Sequence, residues 1–512
     1  MNNKKLQTYV NILSSVGIMI INLCISFFLS PYIIRTVGIE ANGFVGLANN
    51  FVTYANLIVT ALNAMAARFI TIAYIQKDYD KANLYYNSVF WGNLIIVAIL
   101  VLPAVYLVAK MEYFIQVPEN ILLDVRILFS LVFLSFFVRT GAPNYDCGTY
   151  ITNRMDLSVL PNMLAAFLRC VLLVGMFTLW APHVWYVSFV STTLGFLTLG
   201  IARYYTHKLT PELKVRLLTP ICSWSAIREL VGSGMWNAIT IAGNMLMSGF
   251  DLLICNICLG PKAMGMLSLA KVLPSILTDL AESIRGAFGP ELTISFAKGD
   301  QQHLYATLKR SMKITSVVVT IPVAGLIVMS DAFYSLWVPA QDPELLRILT
   351  VLGMMAYVFS SGIAPLNNVY PTLNKVKYNS AGLIVSGCVS IITTLTIVEY
   401  TDWDLFAVAG VSSVVIIARD LLYNIPVASK LLGLKWYTFY PQVLQSVLSC
   451  GVIVGIGWLV RMMLPIHSWI TFFLVCGITG IMGLCANMMI VLNKEERSYL
   501  LGMFKRKIFG KG

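Results

Sequence analysis

The pattern G-x-x-A-x-G-x-x-x-L-A occurs twice, from Gly38 to Ala48 and again from Gly260 to Ala270, 222 positions later. The match continues without a gap. Asn49, Thr53, Asn56, Thr60 and Asn63 fall opposite Lys271, Ser275, Thr278, Glu282 and Arg285. Steps of four and three residues put each set on one face of a helix. Upstream, Ser15, Asn22 and Ser26 fall opposite Asn237, Asn244 and Ser248. The chain is therefore a duplication in which each half turns polar stripes from two helices to one side. Sequence repeats of this kind mark transporters with a central hydrophilic cavity.

The residues around those stripes belong in lipid. The chain is 58% hydrophobic and 12% charged, with a mean hydropathy of +0.77. A soluble domain carries roughly 25% charged residues. About fourteen runs reach the roughly 20 apolar residues that a spanning helix needs. They centre near Ile21, Ala55, Ala98, Leu131, Phe167, Thr193, Asn244, Leu277, Ile321, Met355, Val385, Val414, Val452 and Leu474. The expected fold is an all-α polytopic membrane protein with no soluble domain of any size. Lys4 and Lys5 precede an apolar run reaching about Ile34, too long for a signal peptide and read as the first span. The longest connection, 205–228, reads as an amphipathic cytoplasmic linker.

The net charge of +12 is a matter of topology and does not point to nucleic acid. Basic residues collect in alternate loops, at Lys77, Lys81, Arg154, Lys214, Arg216, Lys313, Lys377, Lys435 and the tail Lys505–Lys507. The opposite loops carry acids such as Glu112, Glu119, Asp342 and Asp404. The positive-inside rule places both termini in the cytoplasm and makes the helix count even. Six helices separate the two motif copies, so the repeats are parallel. The expected organisation is an N-lobe over 1–204, a linker over 205–228, a C-lobe over 229–430, and a helix pair with a basic tail over 431–512.

The eighth span carries Lys271, Asp279, Glu282 and Arg285, with Ser275 and Thr278 between them. Each charge at mid-bilayer costs about 2.5–3.5 kcal/mol, so all four must face protein or water. A cavity wall is one reading of this stripe. The others are a local Glu282–Arg285 salt bridge and hydrogen-bonded glue between helices. Glue is a stronger rival for the uncharged Asn49, Asn56, Thr60 and Asn63. Arg169 sits mid-span and is a site candidate, with structural pairing to an acid as the alternative. Arg68 and Arg139 lie near cytoplasmic ends and read as snorkelling. Asp251 closes the stripe of Asn237 and Asn244. The ten cysteines read as apolar packers, and the four scattered histidines suggest no metal site. There is no G-x-x-x-x-G-K-[ST] loop and no large external loop, so neither an ATPase nor another enzyme is expected.

The halves, the extra helix pair and the glycine motif resemble the polysaccharide-exporter branch of the multidrug/oligosaccharidyl-lipid/polysaccharide superfamily. Its members include Wzx-type O-antigen flippases and, more distantly, the lipid II flippase and the MATE drug exporters. The stretch from Ile33 to Lys81, with Gly38, Gly43, Arg68 and Phe69, is the most similar. The resemblance implies a MATE-like fold in a bacterial cytoplasmic (inner) membrane. It implies a flippase for undecaprenyl-diphosphate-linked oligosaccharide in O-antigen, lipopolysaccharide, capsule or exopolysaccharide synthesis. The cargo would lie between the lobes, against the first, second, seventh and eighth helices. Arg285 and Lys271 are the positions that could meet the pyrophosphate. Asn49, Asn56, Thr60, Asn63, Thr278, Asn237, Asn244 and Arg169 would line the cavity. No cofactor is implied, but Asp279, Glu282 and Asp251 could couple transport to H⁺ or Na⁺. Membrane lipids, a polysaccharide polymerase and glycosyltransferases are the implied partners. Two alternatives stay open: a MATE-like ion-coupled drug exporter, and a membrane polysaccharide polymerase or glycosyltransferase.

Overall fold

The computed structural model of the chain describes residues 27–28, 30–152, 154, 156–216 and 222–492. The first-span candidates Ser15, Asn22 and Ser26 and the basic tail lie outside the described residues. Helical residues 30–37 lead into α1 (Ile39–Asn63), α2 (Ala66–Ile75), α3 (Tyr79–Ala109) and α4 (Leu122–Gly141). Then come α5 (Asp146–Ile151), α6 (Asp156–Leu179), α7 (Tyr186–Leu209) and α8 (Trp224–Asn244), which ends in a π-helical turn at Met245–Gly249. The chain continues with α9 (Asp251–Leu259), α10 (Pro261–Ala270), α11 (Val272–Ala297), α12 (Gln301–Trp337) and α13 (Pro343–Ser360). The last helices are α14 (Val369–Thr372), α15 (Val376–Tyr400), α16 (Asp404–Arg419), α17 (Ile425–Leu431), α18 (Tyr440–Met463) and α19 (Trp469–Ile490). No strand occurs among the described residues.

Twelve helical stretches of the described residues are long and apolar enough to cross a membrane. The expected count of about fourteen also included the run at Ile21, outside the described residues, and the run at Thr193. The latter is α7, a helix of 24 residues that is not one of those twelve. A helix satisfies its backbone polar groups within one segment and without water, which suits so apolar a chain. Large apolar side chains such as Leu102, Met463 and Ile470 stand 75–80% exposed, as expected where hydrocarbon is the solvent.

The 222-residue offset reappears in the backbone. α3 starts at Tyr79 and α12 at Gln301. Their caps, Asp78 and Asp300, each accept a hydrogen bond from the amide three residues on, Lys81 and His303. The residues just before the caps, Lys77 and Gly299, both have positive φ, 62° and 71°. The short helices α5 and α14 fall at matching positions in the two halves.

By their contacts the described residues form two units. Unit 1 takes those up to Met245 together with Gly249–Leu269, and unit 2 takes Leu246–Ser248 with those from Ala270 on. In unit 1, Leu62, Ile70, Tyr85, Tyr86 and Leu230 form one buried cluster, and Ile33, Leu173, Phe177 and Val190 another. In unit 2, Leu308, Leu366, Tyr370 and Phe439 form one core, and Leu277, Val319, Val323 and Ile453 a second. The α18–α19 pair is tied to α12 by a buried amide. Asn487 of α19 donates to the Val317 carbonyl at 3.0 Å and to Thr320 at 2.9 Å, and accepts from Ser449 of α18.

After α7 the chain leaves the helix and runs extended over 213–216. Two asparagines of α3 hold it there as a strand edge would. Asn83 donates to the Glu212 carbonyl (2.9 Å) and accepts from the Lys214 amide (2.8 Å). One turn on, Asn87 does the same with the Lys214 carbonyl (2.9 Å) and the Arg216 amide (2.8 Å). The Glu212 carboxylate accepts from Tyr74, and this hydrogen bond holds its pKa below the ordinary range.

Both glycines of the repeated motif have a physical reason. Gly38 and Gly260 have φ of 106° and 90° with extended ψ, a region open essentially to glycine alone. Gly43 and Gly265 bring α1 and α10 together. A Cβ on Gly265 would lie 2.5 Å from the Ile39 carbonyl oxygen, and one on Gly43 would lie 3.0 Å from Gly265 backbone atoms. Neither neighbour can give, because both are backbone. Gly265→Val therefore forces the helices apart, at about 1–3 kcal/mol by the usual cost of overpacking. It should cut the monodisperse fraction in size-exclusion chromatography. Gly286→Ala, where an added Cβ meets nothing within 4 Å, should leave it unchanged. Equal behaviour of the two variants would contradict this reading of the motif.

Candidate functional site

Unit 1 contains a cavity of about 780 Å³, within the size range of small-molecule sites. Its walls come from residues 30–33, α1, α3, α4, the 142–146 segment, α6 and α7. Helix α1 supplies Asn42, Val45, Asn49, Val52, Asn56, Val59 and Asn63. Each asparagine is seven residues from the next, and each valine lies between two of them. At 3.6 residues per turn, seven residues make nearly two turns, so these seven side chains form one line along the helix. The row alternates an amide with an isopropyl group.

The two ends of this row are occupied. Asn42 donates to the Ser268 hydroxyl at 3.5 Å. Asn63 and Asn93 of α3 form a two-way amide pair at 2.7 and 3.1 Å. The middle amides, Asn49 and Asn56, make no side-chain hydrogen bond to a described residue and stay open to a ligand. Thr53 and Thr60 return their hydroxyls to the carbonyls of Asn49 and Asn56, at 3.0 and 2.8 Å. Neither threonine lines the cavity, although both share the expected stripe.

The adjacent face of α1 is structural. Asn50 and Tyr54 donate to the Gly249 carbonyl at 3.1 and 2.6 Å. That carbonyl is freed by the π-turn that ends α8, so the pair satisfies a backbone group that lipid cannot. Tyr54 also stacks on Phe250 at 4.7 Å.

The charged residues on the cavity wall are Arg139, Arg169 and Asp146. Arg169 was expected at the site. Arg139, read as snorkelling near a helix end, is exposed in the last turn of α4 and also lines the cavity. Asp146 accepts from Ser158 at 3.4 Å. Burial pushes the Tyr145 hydroxyl above its ordinary pKa, so it remains a neutral donor on the wall. Asn93, Asn162, Ser191 and Thr192 line the cavity too. Asn93 sits singly in an apolar helix, but Ser158 and Asn162 of α6, and Ser188, Ser191, Thr192 and Thr198 of α7, recur at helical spacing and were a signal the sequence reading missed. The seven-residue spacing of Asn42, Asn49, Asn56 and Asn63 was the available signal for α1.

The other candidates are not on the wall of this cavity. In unit 1, Asn237 and Asn244 are on α8 and the buried Asp251 opens α9, none of them on the cavity wall. In unit 2, Lys271 donates to the Ser248 carbonyl at 3.0 Å. Thr278 shares a hydrogen bond of 2.6 Å with the Tyr357 hydroxyl. Asp279 is exposed on α11, and Glu282 is ion-paired with Arg285. The local salt bridge, one of the alternatives for that stripe, is the geometry that forms.

Residues 35–338 match the family described as "Polysaccharide biosynthesis protein". Over 505 residues the chain is 23% identical to "Uncharacterized membrane protein EpsK" of Bacillus subtilis (strain 168), covering 97% of this chain and 98% of that one. Among solved structures it is similar to the lipid II flippase MurJ in an inward closed conformation, with a TM-score of 0.64 at 15% identity, covering 97% of this chain and 100% of that one. An inward-facing multidrug resistance MATE family transporter of the MOP superfamily gives 0.63 at 12% identity, covering 81% and 95%. These identities establish the fold, which is the one expected from the glycine motif.

The Asn63–Asn93 pair allows a direct check on how polar groups are held at this wall. Asn93→Leu leaves Asn63 Oδ1 without its donor, while Nδ2 keeps the Val59 carbonyl at 2.9 Å, and should cost about 1–3 kcal/mol, read as a lower Tm in detergent. The double variant Asn63→Leu with Asn93→Leu removes both groups and should recover part of that loss. A double variant no better than the sum of the singles would show that the pair is not coupled.

Proposed function

Because this chain belongs to the polysaccharide biosynthesis protein family, we propose that it is a flippase for undecaprenyl-diphosphate-linked oligosaccharide. It works in the bacterial cytoplasmic membrane, with both termini inside, by alternating access. The carrying observation is the row of asparagines and valines along the unit 1 cavity. A pyrophosphate and its sugars cannot cross about 30 Å of hydrocarbon unaided, and an isolated charge taken into such a medium costs on the order of tens of kcal/mol. Sugar rings present hydroxyl edges and CH faces, and alternating amide and isopropyl groups match both. The prenyl tail can stay in lipid while the head group passes.

Charge favours this reading over an exporter of cationic drugs. Two arginines and a single aspartate line the cavity, and such a wall repels a cation. For energy coupling we assign Asp279, whose carboxylate has no hydrogen bond or ion pair among the described residues. Glu282 is already neutralised by Arg285. A polymerase and glycosyltransferases would supply and consume the cargo.

The test is a lipid-extract analysis of a deletion strain. Undecaprenyl-linked repeat units should accumulate on the cytoplasmic leaflet, and the wild-type gene should clear them. Asn49→Leu with Asn56→Leu removes the two open amides and should lower export by about tenfold or more, on the order of one to two hydrogen bonds, at normal protein level. No accumulation in the deletion strain would refute the assignment.

A further inference from the structure

Arg169 stands thirteen residues into α6, about 20 Å along the helix axis. Three other arginines in the apolar helices have an acid at hand. Arg461 meets Asp331 at 2.5 Å, Arg419 meets Asp420 at 2.7 Å, and Arg285 meets Glu282. Arg169 has no carboxylate partner among the described residues. Its Nε is buried with no hydrogen-bond acceptor, and its side chain lines the cavity. Arg139, on the α4 wall of the same cavity, also lacks an acid partner among the described residues. A charge held in lipid without a counterion is expensive, and such residues mark ion or substrate pathways.

The groups around the cavity suit a bound anion. Asn49 and Asn56 are the open amides. Asn162, two turns before Arg169 on the same face, spends its Nδ2 on the Ser158 carbonyl at 2.8 Å. A guanidinium offers a planar fork that matches carboxylate and phosphate oxygens.

We infer that Arg169 anchors an oxyanion inside unit 1, with Arg139 as a second cation and Asn49 and Asn56 binding the adjoining hydroxyls. This rests on the flippase reading and moves the anion anchor from Arg285, which is already paired, to Arg169. The oxyanion is either a carboxylate on an acidic sugar of the cargo or a phosphate of its lipid carrier.

The test uses the full-length protein in nanodiscs of zwitterionic lipid, titrated calorimetrically with three probes. These are a short oligosaccharide carrying glucuronate, a neutral oligosaccharide of equal length, and farnesyl pyrophosphate. At least one anionic probe should bind ten or more times tighter than the neutral sugar, the scale of one charge-assisted contact. Arg169→Gln should erase that discrimination, and Arg169→Lys should keep part of it. The control Glu344→Gln with Arg347→Gln, an ion pair of unit 2 with a contact of 2.9 Å, should keep all of it. Binding of the glucuronate probe alone identifies an acidic sugar, and binding of farnesyl pyrophosphate alone identifies the carrier phosphate. Binding of both means the anchor accepts either. Equal affinity for neutral and anionic probes, no binding of any probe, or undiminished discrimination in monodisperse Arg169→Gln overturns the inference. Arg169→Gln that exports normally would also overturn it and leave the flippase reading intact.

Discussion

The crossing of α1 over α10 at Gly43 and Gly265 sets how α1 is rolled about its axis, and that roll decides what each of its polar side chains can do. With Gly43 and Gly46 turned to α10, where an added Cβ would lie 3.0 Å from Gly265 backbone or from the Ser268 hydroxyl, Asn50 and Tyr54 follow on the same side. They reach the carbonyl that the broken end of α8 leaves open. Asn42, Asn49, Asn56 and Asn63 are carried about a quarter turn round and face the cavity. A bulkier residue at either glycine would move the helix and turn the asparagine row with it. Stability and site geometry therefore share one contact.

Much of this was legible because the duplication has no gap. The offset that aligns the glycines also aligns Asp78 with Asp300 and Tyr79 with Gln301, so helix starts in one half forecast those in the other. Side-chain direction within a face was harder. Asn49, Thr53, Asn56, Thr60 and Asn63 share a stripe, but a threonine in a helix can satisfy its hydroxyl on the carbonyl four residues back. Thr53 and Thr60 do so, which leaves the asparagines for the cavity. Arg139 was placed by its distance from the helix end, and its place in the last turn of α4 agrees with that while it also lines the cavity. Glu282 and Arg285 were open between a pair and a site, since their spacing of three fits both.

The middle of the cavity differs chemically from the polar groups that close on one another. Asn487 with Ser449 and Thr320, or Asn63 with Asn93, close on each other and hold helices together. At mid-cavity the amides of Asn49 and Asn56 and the guanidinium of Arg169 do not close. Polar groups left open in a membrane need water or cargo. Under the proposed function, a wall that alternates amide with isopropyl groups would bind a sugar without needing a fixed pattern of hydroxyls. That suits a carrier of polymer repeat units, whose chemistry varies more than their general form.

The central claim is that the asparagine row faces an aqueous chamber inside the membrane. The most direct measurement is the rate at which a small, charged, thiol-specific reagent modifies single cysteines in membrane vesicles, starting from a protein whose ten native cysteines are replaced. Cysteine at Asn49 or Asn56 should react at least about tenfold faster than cysteine at Ile58 or Ile95, because a thiol in hydrocarbon does not ionise. Ile58 and Ile95 are 52% and 56% exposed on the apolar surface, so they are accessible to lipid and sterically unhindered. Equal rates at the two sets, or no reaction at Asn49 and Asn56, would contradict the account.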